Sequence, residues 1–199
     1  MSKLLLRTVA CVLAVLPCSA ENLTIFTSGT AEPADAVRAE VSRLMEPAGY
    51  TLEWKNMADR KVGEDFANLI VVRYQGACDP TVAPPPGLAG RPLASTVVTD
   101  GRVLPFATIH CDAVRSVMGP GSRPTHFARA VARVLAHEVY HMVARSKSHA
   151  HSGVSKACFG AADLIAENFA FDPASLAQMR PAAVVSFEEE LDLSEPTGR

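Results

Sequence analysis

The sequence has no basic stripe, no bilayer-spanning apolar run and no internal repeats. Its 199 residues include 19 Lys and Arg against 21 Asp and Glu, which gives a formal net charge of −2. Without a basic stripe to meet phosphate groups, the chain is not expected to bind nucleic acid. The apolar run at residues 8–16 is also too short for a membrane-spanning helix, which needs about 20 residues.

The remaining composition is that of an ordinary globular protein, with 48% hydrophobic and 20% charged residues. A chain of 199 residues buries enough surface for one domain but is short for two. We therefore expect a single domain over residues 21–187, and we take the protein to be a monomer. Residues 188–199 are acidic, and we interpret them as a frayed, solvated tail.

Residues 1–20 have the pattern of a secretory signal peptide. Lys3 and Arg7 provide the positive start, residues 8–16 the apolar run, and small residues end the segment at Ala20. We expect cleavage after Ala20, secretion or export to the periplasm, and no stable membrane association afterwards. Loss of Lys3 and Arg7 reduces the 19 basic residues to 17 against 21 acidic ones, so the mature chain is slightly acidic.

Only three of the five cysteines belong to the mature chain, because Cys11 and Cys18 leave with the signal peptide. Exported proteins form disulfides, so a bridge between two of the remaining three is expected. Cys78 and Cys111 each end an apolar run that is typical of a strand, and we favour their pairing over the alternatives. Cys158 is then a free thiol, for which the ordinary role is that of a small buried hydrophobe.

Extended and helical patterns along the chain predict an α+β fold with a mixed, twisted sheet of about four to five strands packed on helices. The continuous apolar run within residues 68–74 indicates a strand that is buried on both faces. Asp100 and Gly101 are a turn signal between the two arms of a hairpin. The predicted strands cover residues 23–26, 50–54, 68–74, 96–98 and 103–111, and the predicted helices cover residues 33–46, 112–118 and 161–169, with a short one from Pro173.

The sequence HEVYH, from His137 to His141, lies late in a segment with the apolar spacing of a long amphipathic helix. Ser122 and Thr125 are candidate N-caps of this helix, and Pro124 fits only in its first turn. Two histidines four residues apart project from the same face of a helix. His137 and His141 can therefore hold one metal ion.

Glu138 lies beside the first histidine, where a carboxylate can take a proton from a metal-bound water without being a ligand. Candidates for a third ligand are His149 and His151, which follow a polar stretch that can end the helix and turn the chain back. Three imidazoles and a water molecule make a catalytic Zn2+ site with an open position. The alternative is an acidic third ligand, Asp163 or Glu167. The ordinary roles of these two residues are a helix cap for Asp163 and a solvent-facing position for Glu167.

With this motif, the second half of the chain resembles the zincin metalloproteases, on their metzincin side. It is also similar to a group of small exported bacterial proteins of zincin type. The residues that carry the likeness are HEVYH, His149, Ser152, Gly153, Asp163, Leu164, Phe171, Asp172 and Pro173. The resemblance implies a zincin-like fold with a long HExxH helix, a zinc cofactor and a peptide or protein substrate. It also favours His149 as the third ligand beside His137 and His141.

The sequence departs from the metzincin pattern after the second histidine. Ala144 and Lys147 occupy the positions of the pattern's glycine and third histidine, so a wider turn must deliver the third ligand. No methionine lies between Met142 and Met179, so the methionine turn that supports the metal in metzincins has no counterpart. We expect a different support, built around Gly153 and the residue after it.

The combined interpretation is an exported zinc metallopeptidase that hydrolyses peptide bonds with metal-activated water and Glu138 as general base. The hairpin arm at residues 95–98 offers a strand edge to which an extended peptide can add, with an ordinary paired strand as the alternative. Two other function classes stay open: an exported metal-binding protein without catalysis, and an inactive zincin relative that acts through a partner. A Glu138→Gln substitution separates these classes, because a pure metal binder does not need the carboxylate.

Overall fold

The computed structural model describes residues 20–29 and 34–181. The predicted signal peptide, except for Ala20, lies outside the described residues, as does the predicted acidic tail. The same holds for Cys11, Cys18 and the residues with which the first helix is expected to begin.

A mixed sheet of five strands forms the centre of the fold. The strands are β1 (Glu21–Gly29), β2 (Tyr50–Asn56), β3 (Leu69–Gln75), β4 (Ala94–Thr99) and β5 (Arg102–His110). Their order across the sheet is β2-β1-β3-β5-β4, and neighbouring strands are parallel except for the antiparallel pair of β4 and β5. The prediction of an α+β fold with a mixed sheet is confirmed.

Helices pack on this sheet. They are α1 (Asp35–Met45), α2 (Cys111–Met118), α3 (Pro124–Val143), α4 (Ala161–Ile165) and α5 (Pro173–Met179). Pro124 is the first residue of α3, as predicted, but the position before it belongs to Arg123, so the expected caps Ser122 and Thr125 are wrong. Within the part of the chain that the structure describes, none of the helices is both long and apolar enough to cross a membrane.

The main core lies between one face of the sheet and the helices α1 and α3. Side chains along β3 alternate accordingly: Ile70, Val72 and Tyr74 are buried, whereas Val71 is half-buried and Arg73 is exposed. The prediction that this strand is buried on both faces is therefore wrong, because only one of its faces meets the helices. Its unbroken apolar run reflects a partly covered outer face.

The β4–β5 hairpin closes with the predicted turn. Asp100 and Gly101 have positive φ angles of 50° and 75°, which is the combination that a type I′ turn requires. The hairpin is also the edge of the sheet, since β4 pairs with β5 on one side only. Among the described strands, the other edge of β4 has no partner.

The proline-rich loop at residues 79–92 is fastened to α2. The predicted disulfide between Cys78 and Cys111 is present and ties the start of this loop to the start of α2. Arg115, which is buried on α2, also donates a hydrogen bond of 2.6 Å to the carbonyl oxygen of Val82. The loop is thus held at two points before it reaches β4.

Helix α4 ends at Ile165, earlier than the predicted end at Phe169. Arg133, which is fully buried on α3, donates hydrogen bonds to the carbonyl oxygens of Asp163 (2.7 Å) and Ala166. These oxygens point at the guanidinium group and are not available for continued helical hydrogen bonding. The chain therefore leaves the helical path after Ile165.

Candidate metal centre

The HEVYH sequence lies near the C-terminal end of α3, inside the protein. His137, Glu138 and His141 have exposed fractions of only 7%, 7% and 8%. The rings of His137 and His141 lie one helical turn apart on one face, with their centroids separated by 4.6 Å. The two histidines therefore do not lie on a solvent-facing surface.

A sharp turn after α3 brings back a third histidine. The helix ends at Val143, and Arg145 then adopts a positive φ of 50°. The amide N–H of Ser146 donates to the carbonyl oxygen of His141 at 3.1 Å, which closes the turn. The chain reverses direction here, so His149 returns to the end of the helix.

The three imidazoles converge through their Nε2 atoms. The Nε2 of His141 lies 3.0 Å from that of His137 and 3.2 Å from that of His149. Potential ligand atoms of the three residues all lie within 4.8 Å of one another. In a tetrahedral zinc site with bonds of about 2.05 Å, neighbouring ligand nitrogens are about 3.3 Å apart. The three histidines can therefore hold one metal ion.

Backbone carbonyl groups fix the tautomers of two of these rings. The Nδ1 of His137 donates to the carbonyl oxygen of Val154 at 2.7 Å, and the Nδ1 of His141 donates to that of Ser146 at 2.7 Å. Because a carbonyl oxygen can only accept, each Nδ1 carries the proton of a neutral ring, and each Nε2 keeps a free lone pair. Lone pairs that face one point at this spacing repel each other unless a cation lies between them. Such backbone partners orient the rings of metal-binding histidines.

Burial keeps these two rings neutral. It lowers the pKa of His137 from 6.5 to about 4, and it also lowers the pKa of His141. The hydrogen bonds from Nδ1 to the carbonyl groups act in the opposite direction but are outweighed. Neutral imidazole is the form that binds metals, so burial favours the ligand form of both rings.

Glu138 lies beside the three histidines but is not one of the grouped ligands. Its Oε2 accepts a hydrogen bond of 2.5 Å from Thr96 Oγ1, which belongs to β4. Burial raises the pKa of Glu138, and the hydrogen bond from Thr96 partly opposes this effect. A carboxylate with an increased affinity for protons is suited to accept and return a proton at a neighbouring site.

An open cleft of about 690 Å³ runs past these groups, between β4 and the segment that follows His149. This volume lies within the range of small-ligand and substrate sites. Within the described chain, Glu138 is the one acidic residue that lines the cleft, and Arg91 and Lys147 are the basic ones. The larger apolar lining residues are Leu93, Val98, Val103, Val117, Val134 and Phe159.

Among the described residues, the group formed by His137, His141 and His149 does not include the other three candidates for the third ligand, His151, Asp163 and Glu167. His151 does not line the cleft; it lines a smaller depression, which His149 also lines. Asp163 pairs with Lys156 at 2.7 Å and accepts the N–H of Gly160, so it caps α4. Glu167 is exposed to solvent. Of the four candidates, His149 is the one that the structure brings to His137 and His141.

Cys158 differs from the expectation of a buried thiol. It is a free cysteine and is exposed, and it lines the same cleft as the histidines. It lies in the irregular segment that leads to α4, and this segment forms the rim of the cleft, not the core.

The sequence does not identify two of the supporting groups, the Thr96 hydroxyl and the carbonyl group of Ser146. At the support expected around Gly153 and the next residue, the group that contacts His137 is the carbonyl of Val154. A carbonyl group leaves no signal in a sequence, since every residue has one. The indirect signal is Gly153, which has a φ of +68°; a Cβ there would lie 2.4 Å from the carbonyl oxygen of Ala170. The absence of a side chain lets this segment pass close to its neighbour, so the carbonyl of the next residue reaches His137.

No model of a known protein family matches the chain, and no curated protein matches it.

Proposed function

We propose that the chain is an exported zinc-dependent metallopeptidase with a zincin-like fold. The observation that carries this proposal is a group of three histidines within 4.8 Å of one another, beside a buried glutamate in an open cleft. The disulfide between Cys78 and Cys111 supports export to the periplasm or the extracellular space, because such bonds persist in oxidising compartments.

His137, His141 and His149 would hold the ion through Nε2. Zinc suits this donor set, because three neutral imidazoles with an open fourth position are a usual environment for catalytic zinc. When bound, the ion supplies Lewis acidity, which acidifies a water molecule and polarises a carbonyl group. The carbonyl oxygens of Val154 and Ser146 keep two of the rings in the tautomer that binds.

Glu138 accepts a proton from the attacking water and passes it to the departing amine. Its Oε2 accepts a hydrogen bond from the Thr96 hydroxyl group, so Oε1 is the oxygen that accepts and returns the proton. The unpaired edge of β4 gives an extended peptide a strand to pair with, and the apolar wall of the cleft receives its side chains.

The surroundings of Glu138 argue against a role in metal binding alone. Its carboxyl group is buried and has no cationic partner among the described residues, which reduces the stability of the fold. It is also not a member of the histidine group. A carboxylate kept at such a cost is typical of a residue that takes part in a reaction.

The test is metal analysis and peptide turnover of the purified mature chain, with casein and a quenched-fluorescence peptide library as substrates. We expect the wild type to bind one zinc ion and cleave peptides. Glu138→Gln should keep the metal and lose about 10²- to 10⁴-fold in turnover, as for removal of a general base. His149→Ala should lose metal affinity, and the matched control His151→Ala should keep both properties.

Full turnover by Glu138→Gln would defeat the proposed base. Unchanged zinc occupancy in His149→Ala would remove that residue from the ligand set. A protein that binds zinc and cleaves no peptide would support the alternative of a metal-binding protein without catalysis.

A further inference from the structure

Thr96 lies on the edge strand β4, on the side of the sheet that faces α3. It pairs in register with Ala107 of β5, which is buried against the helices. The register of β4 against β5 shifts between Thr96 and Val98. This irregularity lies at the point where the strand passes the active-site end of α3, and such bulges re-aim side chains.

The hydroxyl group of Thr96 is the one hydrogen-bond partner that Glu138 has in the described part of the chain. The bond joins Thr96 Oγ1 to Glu138 Oε2 at 2.5 Å, across 42 residues of sequence. The other oxygen, Oε1, is not among the buried polar atoms without a partner, and the side chain lines the cleft. One carboxylate oxygen is therefore held, and the other is open to the cleft.

A glutamate side chain has several rotatable bonds, so a buried carboxylate with no fixed partner can occupy several orientations. The cleft that Glu138 lines is partly walled by apolar side chains, among them Val98, Val103 and Val134, which offer no hydrogen bond to a carboxylate. A single donor on a strand, which is a rigid element, selects one orientation. Small displacements of a catalytic group are costly to the rate.

We propose that Thr96 is a positioning residue for Glu138: its hydroxyl group holds Oε2 and thereby directs Oε1 into the cleft, where the proton is transferred. This inference rests on the proposed function for its effect on the rate, but not for the orientation of Glu138 itself. It assigns to β4 a second role beside that of a strand edge for substrate.

The experiment compares Thr96→Val, which keeps the shape of the side chain and removes the donor, with Thr96→Ser, which keeps the donor. We expect Thr96→Val to lower kcat about 10- to 100-fold, the range for one hydrogen bond to a charged group, with little change in KM. Thr96→Ser should restore kcat towards the wild-type value. Zinc content should be the same in both variants, because neither change touches a histidine.

Thr108→Val is the matched control. Thr108 lies on β5 between the buried residues Ala107 and Ile109, so its side chain is on the opposite face of the sheet. The same substitution there should leave kcat, KM and zinc content unchanged. A wild-type kcat in Thr96→Val would overturn the proposal, and so would a loss in Thr96→Ser as large as in Thr96→Val.

Crystal structures of the metal-free variants give a readout that does not depend on activity. We expect Glu138 to keep its orientation in Thr96→Ser and to change or lose it in Thr96→Val. An unchanged, ordered Glu138 in Thr96→Val would overturn the proposal even if the wild type cleaved no peptide. A wild type without turnover, together with a displaced Glu138 in Thr96→Val, would contradict the proposed function and uphold the positioning role.

Discussion

Replacement of Gly153 by alanine tests how the candidate metal centre is supported. Gly153 has a φ of +68°, and a Cβ there would lie 2.4 Å from the carbonyl oxygen of Ala170. The N–H of the next residue, Val154, donates a hydrogen bond of 3.0 Å to that same oxygen. The carbonyl oxygen of Val154 accepts a hydrogen bond of 2.7 Å from His137 Nδ1. A methyl group at Gly153 therefore pushes directly on the segment that orients the first histidine.

The expected size of the effect follows from these contacts. The Cβ–oxygen distance has to open from 2.4 Å to at least 3.0 Å, so the two segments must separate and the Val154 hydrogen bonds weaken. The positive φ adds backbone strain, and we expect the free energy of unfolding to fall by about 2–4 kcal/mol. Loss of an outer partner of a metal ligand lowers metal affinity by about 10- to 100-fold, and we expect this loss for zinc.

Zinc affinity is measured by competition with a chromophoric chelator, and stability by denaturant unfolding of the metal-free protein. Gly87→Ala is the matched control, because Gly87 has a similar φ of +78° and nothing within 4 Å of an added Cβ. The Gly87→Ala variant should lose only about 1–2 kcal/mol of unfolding free energy through backbone strain, and its zinc affinity should be that of the wild type. Wild-type zinc affinity in Gly153→Ala would show that the Val154 carbonyl does not hold His137 in its binding orientation.

Three further predictions concern stability. Arg133→Met should lower the free energy of unfolding by about 3 kcal/mol in urea titrations, since it removes the buried donor of the Asp163 and Ala166 carbonyl groups and the partner of Glu40; an unchanged midpoint would contradict this contribution of Arg133. The double variant Cys78→Ser with Cys111→Ser opens a loop with a sequence separation of 33 and should lose about 3.7 kcal/mol, while reduction of the wild type should reproduce this loss. In the metal-free protein, the pKa of His137 is about 4 in the folded state and 6.5 in the unfolded chain. As the pH falls, the unfolded chain is therefore protonated at His137 before the folded protein is. Stability should therefore decrease as the pH falls from 6.5 towards 4, and a flat stability over this range would show that His137 is not buried as described.

Local geometry explains the features that the sequence predicts correctly. A separation of four residues in a helix places two side chains on one face, so the spacing alone is enough to pair His137 with His141. The turn at Asp100 and Gly101 follows in the same way from the backbone angles that those residue types tolerate. The Cys78–Cys111 bridge is favoured by the apolar run that each cysteine ends, and it is present.

Features that depend on distant contacts are predicted less well. The helical pattern places the end of α4 too late, because Arg133 on another helix takes its carbonyl groups. The free Cys158 is expected inside but lies at the cleft, since nothing in its neighbours shows which side of the segment meets the core. The continuous apolar run of β3 indicates burial on both faces, but only one face is fully covered. Whether a sheet face is covered depends on where the helices pack.

The sequence by itself determined that two histidines share one face of the helix, that a carboxylate lies beside the first of them, and which chemistry such side chains allow. Tertiary structure decided between His149 and His151, because the turn at Arg145 and the hydrogen bond from Ala150 N–H to the Ser155 carbonyl fix which ring faces the helix. It also joined Thr96 to Glu138 across 42 residues. Such choices depend on strand register and on the paths of loops through space, which the spacing of residue types along a chain does not encode.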